Sequence, residues 1–471
     1  MTPQHRYRVL YDLSPLTAGF SDPGQITWLN FRLLCQLPEL EVTGLIAAPG
    51  GQLALHEFAP LDDVEQVRAN QAAFLDQLGA AGPALDAGGL GQRLGWFYRL
   101  LFAPTCNAQP LDPAIDWPVR LRDLLDRTLS PADVEALRKG QFLLSTFNRL
   151  AMTVRLRGGL PAQKLDTRGF DFVIFQNPCV ARVHEGSRKI VCLHELPVVP
   201  DSAPDGQVLR RQQAELRGAA RDSFFVCRTP AARAELSRCY GVADQCSCVI
   251  PYPLNGFFSK DGHRDRVARV LAERRRTDLP GGDPATGSYF LAVGPLEPRC
   301  NLPALLQACY RLNAHRGERV QLVLVARGGW KSDALTPLLH TLAREGQLLV
   351  LDGVKPHELR LLYSHAVALV DVAYHEAGTL APLEALQCGC PIVLSDLPGH
   401  RALAGPAALY CDPYDVEALV VALARSANAT PRQREDRVDA GCRHLESFRN
   451  EFLRQRWLDV LNVADGLRCA A

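Results

Sequence analysis

At 471 residues the chain is too long for one hydrophobic core, and with 47% hydrophobic and 22% charged residues it reads as a folded two-domain protein rather than a disordered one. Lys and Arg number 52 against 51 Asp and Glu, so there is no global field to attract nucleic acid, and no nucleic-acid partner is expected. The 15 cysteines lack regular C-x-x-C spacing; the close pairs Cys246/Cys248 and Cys388/Cys390 read as small buried hydrophobes, with reduced thiols in a cytoplasmic setting. The opening MTPQHRYRVLYDLS runs straight into a strand pattern without the layout of a signal peptide, and no apolar run reaches about 18 residues, the length that would span a membrane.

In chain order, YRVLYDLS reads as a buried strand and PGQITWLNFRLLCQL as a helix beginning near Gly24. Short apolar runs follow in VTGLIAA, DFVIFQNP, KIVCLHEL and DSFFVCRT, the last ahead of the helical AARAELSRCYG. This alternation predicts a parallel, doubly wound sheet in a first domain spanning 1–280. Between about 60 and 165 it is interrupted by a predicted helical insertion, with Ser130 as N-cap, Pro131 at the first helical position and Asp133 at the capping-box place. Within that insertion, GQRLGWFYRLLF and FLLSTFNRLAMTVRLR combine apolar bulk with arginines, the composition of an interfacial helix, so a peripheral membrane contact is one reading and a packed core helix the other.

After the linker-like DLPGGDPATGS a second block repeats the alternation over 286–445: strands in SYFLAVG, VQLVLVA, LLVLDGV, HAVALVDVAY, PIVLSD and AALYCD, with helices between them. Two such blocks predict two Rossmann-like domains facing each other across a cleft, with ligands at the carboxyl ends of the strands. A last helix, EFLRQRWLDVLNVADGL within 446–471, is expected to return to the first domain.

The chemistry centres on HEAGTLAPLEALQCGCP, where Glu376 ends a strand and Glu384 lies in the first turns of the next helix. A helix start offers unpaired N–H groups to a phosphate, and a carboxylate just inside it can accept from a ribose diol. Alone, two glutamates eight apart usually mean two solvated side chains. In its surroundings the segment resembles the signature of family 4 retaining glycosyltransferases of the GT-B fold. So do LAVGPLEPRCNLPALLQA, VQLVLVARGGW, GVKPHELRLLYSHA, VCLHEL, RTPAARAELSRCYGV, and YDLSPL with PGQIT. The resemblance implies transfer of a hexose, of mannosyl or rhamnosyl type, from a nucleotide diphosphate sugar to a hydroxyl of a glycan or lipid-linked acceptor in polysaccharide assembly. A GDP-sugar is expected over a UDP-sugar, with no cofactor and no metal.

By that resemblance Glu376 and His194 meet the transferred sugar and Glu384 holds the ribose. Gly378, Thr379, Leu380 and Gly24 supply close backbone, and Arg299, Arg327 and Lys331 face the diphosphate. Two departures stand out. Cys300 occupies the place of the family's usual lysine, leaving Arg299 as the first substitute, and Ala377, Gly378 and Thr379 replace a Gly-Phe-Gly loop. A non-catalytic GT-B subunit and a nucleotide-sugar epimerase are the competing expectations, since fold does not dictate function.

Overall fold

The computed structural model describes residues 6–18, 22–47, 68–69, 71–72, 75, 105–106, 108–120, 135–145, 162, 164–194, 196, 206–276, 287–295, 298–314, 319–327, 336–375 and 379–466. The chain forms two compact units, Met1–Pro253 with Asn450–Ala471, and Leu254–Arg449.

The first unit is built on β1 (Tyr7–Asp12), β2 (Leu40–Ala47), β4 (Ala108–Pro110), β5 (Gln141–Ser145), β7 (Phe172–Phe175), β8 (Arg188–Cys192), β9 (Ser223–Cys227) and β10 (Ser247–Val249). Their order is β10-β9-β8-β7-β1-β2-β5-β4, parallel throughout except for β4 against β5, while β3 (Thr105–Cys106) and β6 (Lys164–Leu165) pair separately. Runs such as FVIF and SFFVC are buried at every position, as strands covered on both faces require. Because β1 has β2 on one side and β7 on the other, the sheet's switch point lies between β1 and β7.

The first helix lies where expected, while the insertion departs from its expected all-helical form. The helix that was to begin near Gly24 starts at Asp22, placing Gly24 buried in its first turn. Residues 141–145, read as helical, are a strand paired in parallel with β2: helical residues 135–137 give way to a turn at 138–139, and Phe142, Leu144 and Ser145 are then buried. Their pull into the sheet outweighs helix propensity. The described part of the insertion is therefore of mixed character. GQRLGWFYRLLF, residues 146–157 and the Ser130–Asp133 cap lie outside the described residues.

The closing helix Asn450–Gly466 packs within the first unit. Trp457 is fully buried and donates its indole N–H to Asn30 Oδ1 at 3.1 Å, Tyr7 donates to Asn462 at 3.3 Å, and Arg454 bonds to Gln36.

The second unit is a six-stranded parallel sheet of β11 (Tyr289–Pro295), β12 (Gln321–Arg327), β13 (Leu348–Leu351), β14 (Ala368–Asp371), β15 (Ile392–Ser395) and β16 (Ala408–Cys411). Its order, β13-β12-β11-β14-β15-β16, is the dinucleotide-fold order, with the switch point between β11 and β14. Residues 254–276, expected in the first domain, pack in this unit because their polar side chains find partners on the helix Pro356–His365. Arg274 makes three 2.9 Å hydrogen bonds to the buried Glu358, and Asp261 pairs with Arg360 at 2.8 Å. Among the described residues no helix is long and apolar enough to cross a membrane.

Candidate functional site

In the second unit, the loops at the carboxyl ends of β11, β14 and β16 are tied to one another. After β11 comes the turn Pro298–Cys300, then Asn301, the only described residue other than glycine at positive φ (52°), which leads into the helix Leu302–Ala314. Left-handed backbone at a fully buried asparagine is strained unless neighbouring contacts hold it. Here its Nδ2 donates to Pro413 O at 2.7 Å, joining the β11 loop to the β16 loop. Tyr374 N–H, past β14, donates to Arg299 O at 2.9 Å, and the Tyr374 ring stacks on Tyr414 at 5.1 Å. The switch-point loops thus form one hydrogen-bonded group, and the half-buried Arg299 sits in its first member.

Glu384 occupies the first turn of the helix Ala381–Gln387 and is 3% exposed. Tyr363 donates its hydroxyl to Glu384 Oε2 at 3.0 Å, fixing the orientation of the carboxylate. Thr379 Oγ1 accepts from Ala381 N–H at 3.1 Å, and Leu380 O accepts from Glu384 N–H at 3.0 Å, so Thr379 and Leu380 shape the helix entry through hydrogen bonds. The exit is closed by Gly389, at φ 68°, and by Cys390 N–H donating to Ala385 O at 2.9 Å. Burial pushes the Cys390 thiol up to about 12 and raises that of Cys388, which keeps both protonated as packing groups. His400 is held under the β14 loop, its Nδ1 3.0 Å from Ser395 O and its Nε2 4.0 Å from Asp371, while Ser395 Oγ donates to Ala373 O at 2.7 Å.

Of the residues singled out from sequence, Arg299, Thr379, Leu380 and Glu384 fall in this one region. Arg327 closes β12 at the same end of the sheet. Glu376, Gly378 and Lys331 lie outside the described residues. Residues 412–415, DPYD, form a turn and cap: Asp415 accepts from Glu417 N–H and Ala418 N–H at the start of the helix Val416–Ala427. No cluster of three or more His, Cys, Asp or Glu able to hold a metal occurs among the described residues.

In the first unit, the carboxyl ends of β1, β7, β8 and β9 carry a second polar group. Asp12 closes β1 and accepts from Ser14 N–H at 2.9 Å, from the Ser14 hydroxyl, and from Gln176 N–H at 3.4 Å, so it bridges the loops after β1 and β7. His194, just past β8, is 8% exposed, and neither ring nitrogen has a hydrogen-bond partner among the described residues. Burial first, and then the charge of Arg228, hold its pKa well below the ordinary histidine value, keeping the ring neutral. Arg228, just past β9, is 3% exposed. Sequence reading missed Arg228, Asp12 and Tyr363; for Arg228 the available signal was a lone cation directly after the apolar run FFVC, where a βα unit presents its ligand-facing end.

Two parallel sheets in the dinucleotide-fold order, each with polar groups at its strand carboxyl ends, make the fold that of a GT-B glycosyltransferase. Sucrose-phosphate synthase from Thermosynechococcus elongatus has the same fold, with a TM-score of 0.56 and 15% identity over 97% of this chain and 98% of that one. Residues 276–440, which make up most of the second unit, match the model of "Glycosyl transferases group 1". The Escherichia coli O-antigen chain mannosyltransferase B is 37% identical over 131 residues, covering 28% of this chain and 34% of that protein. The O-antigen chain mannosyltransferase RfbU of Salmonella typhimurium is 28% identical over 128 residues, covering 27% of this chain and 35% of that one. The chain thus spans about a third of the length of the curated relatives it matches.

Proposed function

We propose that the protein is a retaining glycosyltransferase that moves a hexose, of the mannose or rhamnose type, from a GDP-sugar to a hydroxyl of a glycan or lipid-linked acceptor in polysaccharide assembly. The observation that carries this reading is Glu384: a carboxylate buried at the switch point of a group 1 domain and oriented by Tyr363, placed to accept from the ribose diol of a nucleotide. The mannosyltransferase relatives favour mannose as the sugar. In the reaction the acceptor oxygen bonds to the anomeric carbon on the face from which the diphosphate oxygen departs, and the hydroxyl proton passes to that leaving oxygen. Arg299, with Arg327 and Lys331, is assigned to the growing diphosphate charge that a lysine at position 300 would otherwise meet. Glu376 and His194 are assigned to the sugar, Gly378, Thr379 and Leu380 to close backbone around the donor, and Gly24 to the first unit's helix start. Turnover is expected without metal.

The test is a screen of GDP-, UDP- and dTDP-sugars for binding and hydrolysis, with and without chelator. GDP-mannose binding with slow, chelator-insensitive hydrolysis supports the proposal. A folded protein that binds none of these donors would point to a non-catalytic subunit.

A further inference from the structure

The end of β9 holds an arginine that makes no ion pair among the described residues. Arg228 is 3% exposed, yet of its three guanidinium nitrogens only Nη1 has a hydrogen-bond acceptor among the described residues, Ile250 O at a long 3.4 Å. The plane is steadied by the buried Tyr252 ring, whose centroid lies 5.8 Å from Cζ. The remaining edge, Nε with Nη2, is the side-on fork that matches two oxygens of one phosphate or carboxylate, and it has no partner among the described residues.

Among the described residues the neighbouring groups do not supply the missing anion. Asp12, the carboxylate at the end of β1, accepts from Ser14 and Gln176 and makes no hydrogen bond to Arg228 Nε or Nη2. The Cys192 thiol, within weak hydrogen-bonding reach of the arginine, is kept protonated and uncharged by burial, its pKa pushed up to about 11. His194 is neutral, and both of its nitrogens are also without partners. A cation taken out of water without a counter-charge is among the most destabilising features a fold can carry, and such features persist where a ligand completes them.

We infer that the open Nε/Nη2 edge of Arg228 binds an oxyanionic group carried by the acceptor substrate. The acceptor is named because, on the reading proposed above, the donor nucleotide is held by residues of the second unit. The inference rests on that reading for the ligand's role and not for its chemistry. A phosphate and a sugar carboxylate would both fit the fork, and the experiment separates them.

The experiment follows thermal unfolding and calorimetric binding of the full chain, with inorganic pyrophosphate and with glucuronate as probes, in the presence of saturating GDP. It compares wild type with Arg228→Met, which keeps the bulk without the charge, and Arg228→Lys, which keeps the charge without the fork. We expect saturable binding of one probe by wild type, weakened at least tenfold in both variants. Pyrophosphate alone binding assigns a phosphoryl group, and glucuronate alone a uronate. We also expect unliganded Arg228→Met to melt at or above the wild-type temperature, because an unpaired buried charge has been removed; a structural arginine would give the opposite. General salting-out by phosphate-like ions raises all three proteins equally and is subtracted by the comparison.

Equal probe binding by wild type and Arg228→Met, or binding of neither probe, overturns the inference. So does a loss of several degrees in unliganded Arg228→Met. Failure of GDP itself to bind wild type counts against the donor reading instead. The probe titrations, repeated without nucleotide, then still decide the fate of the Arg228 site.

Discussion

The two units present polar groups at the same place in the same kind of sheet, but they treat them differently. In the second unit most groups at the strand ends are bonded to one another, Glu384 to Tyr363, Asn301 to Pro413, Tyr374 to Arg299 and Ser395 to Ala373, and only single atoms such as Asn301 Oδ1 and His400 Nε2 lack a hydrogen-bond partner among the described residues. In the first, Asp12 is secured in this way, while both ring nitrogens of His194 and one edge of Arg228 are buried with nothing to bond among the described residues. A site whose groups are already bonded is held in the geometry it will use, and its ligand gains from that preorganisation. A site with open groups gives up stability until its ligand arrives. The contrast suggests that the second unit keeps a standing nucleotide site and that the first completes its own only with substrate.

The strongest break of this comparison falls on the two glutamates. If the second unit divides its labour as proposed, Glu376→Gln should lower transfer by about a thousandfold or more while leaving GDP affinity within about twofold, the pattern of an interaction made in the transition state. Glu384→Gln should instead weaken GDP by about tenfold, since a charged hydrogen bond to a ribose is lost. Steady-state kinetics with GDP titrations on both variants check this, and equal loss of GDP binding in the two would erase the distinction.

Next comes the scaffold behind that site. Glu358 is 7% exposed and receives three hydrogen bonds from Arg274, which arrives from the segment that precedes the second sheet. Arg274→Ala strands a buried carboxylate and should destabilise the second unit by about 3 kcal/mol. Urea unfolding followed by hydrogen exchange should place the loss in residues 254–449 and leave protection of the first unit's strands unchanged. Uniform loss in both units would mean that they unfold as one.

How much of this was open to a reader of the sequence follows the same physics. Strands with unbroken apolar runs, such as FVIF, SFFVC and ALVD, declared themselves, because burial on both faces leaves one composition to choose from. Gln141–Ser145 did not, since a five-residue apolar run beside helical sequence carries no period that separates strand from helix. Glu384 was legible through the segment around it. Tyr363 was not, because it acts through a neighbour brought close only by folding, its hydroxyl reaching a residue 21 positions away, and Arg228 was not, because its burial shows only in the folded chain. The division at Pro253 was hidden for a similar reason: the Pro- and Gly-rich stretch near 280 looks like a boundary, whereas the ion pairs of Asp261 and Arg274 that move it are long-range.

A smaller effect sharpens the claim of preorganisation. Tyr363→Phe removes the hydroxyl that orients Glu384 and leaves the ring packed against Phe258 at 6.0 Å. The fold should survive, and GDP affinity should drop by about fivefold, or about 1 kcal/mol, for the loss of one hydrogen bond. Calorimetric titration measures it. An unchanged affinity would show that the carboxylate needs no help to find its ligand.

The smallest expected effect tests the open character of the first unit. The pKa of His194 is held well below the ordinary 6.5, mainly by burial and secondarily by Arg228. As pH falls, the unfolded chain therefore binds the proton before the folded one, and the unfolded state is favoured. The stability this residue contributes is full above about pH 6.5 and declines below it, by about 0.8 kcal/mol between about pH 7.5 and about pH 6.0 for an unfolded pKa at the ordinary value. His194→Gln has no such proton to take, so the difference in unfolding free energy between wild type and variant should narrow or change sign across that interval. Parallel pH profiles for the two proteins would mean that His194 has a hydrogen-bond partner in solution, and the first unit's polar end would then be as self-contained as the second's.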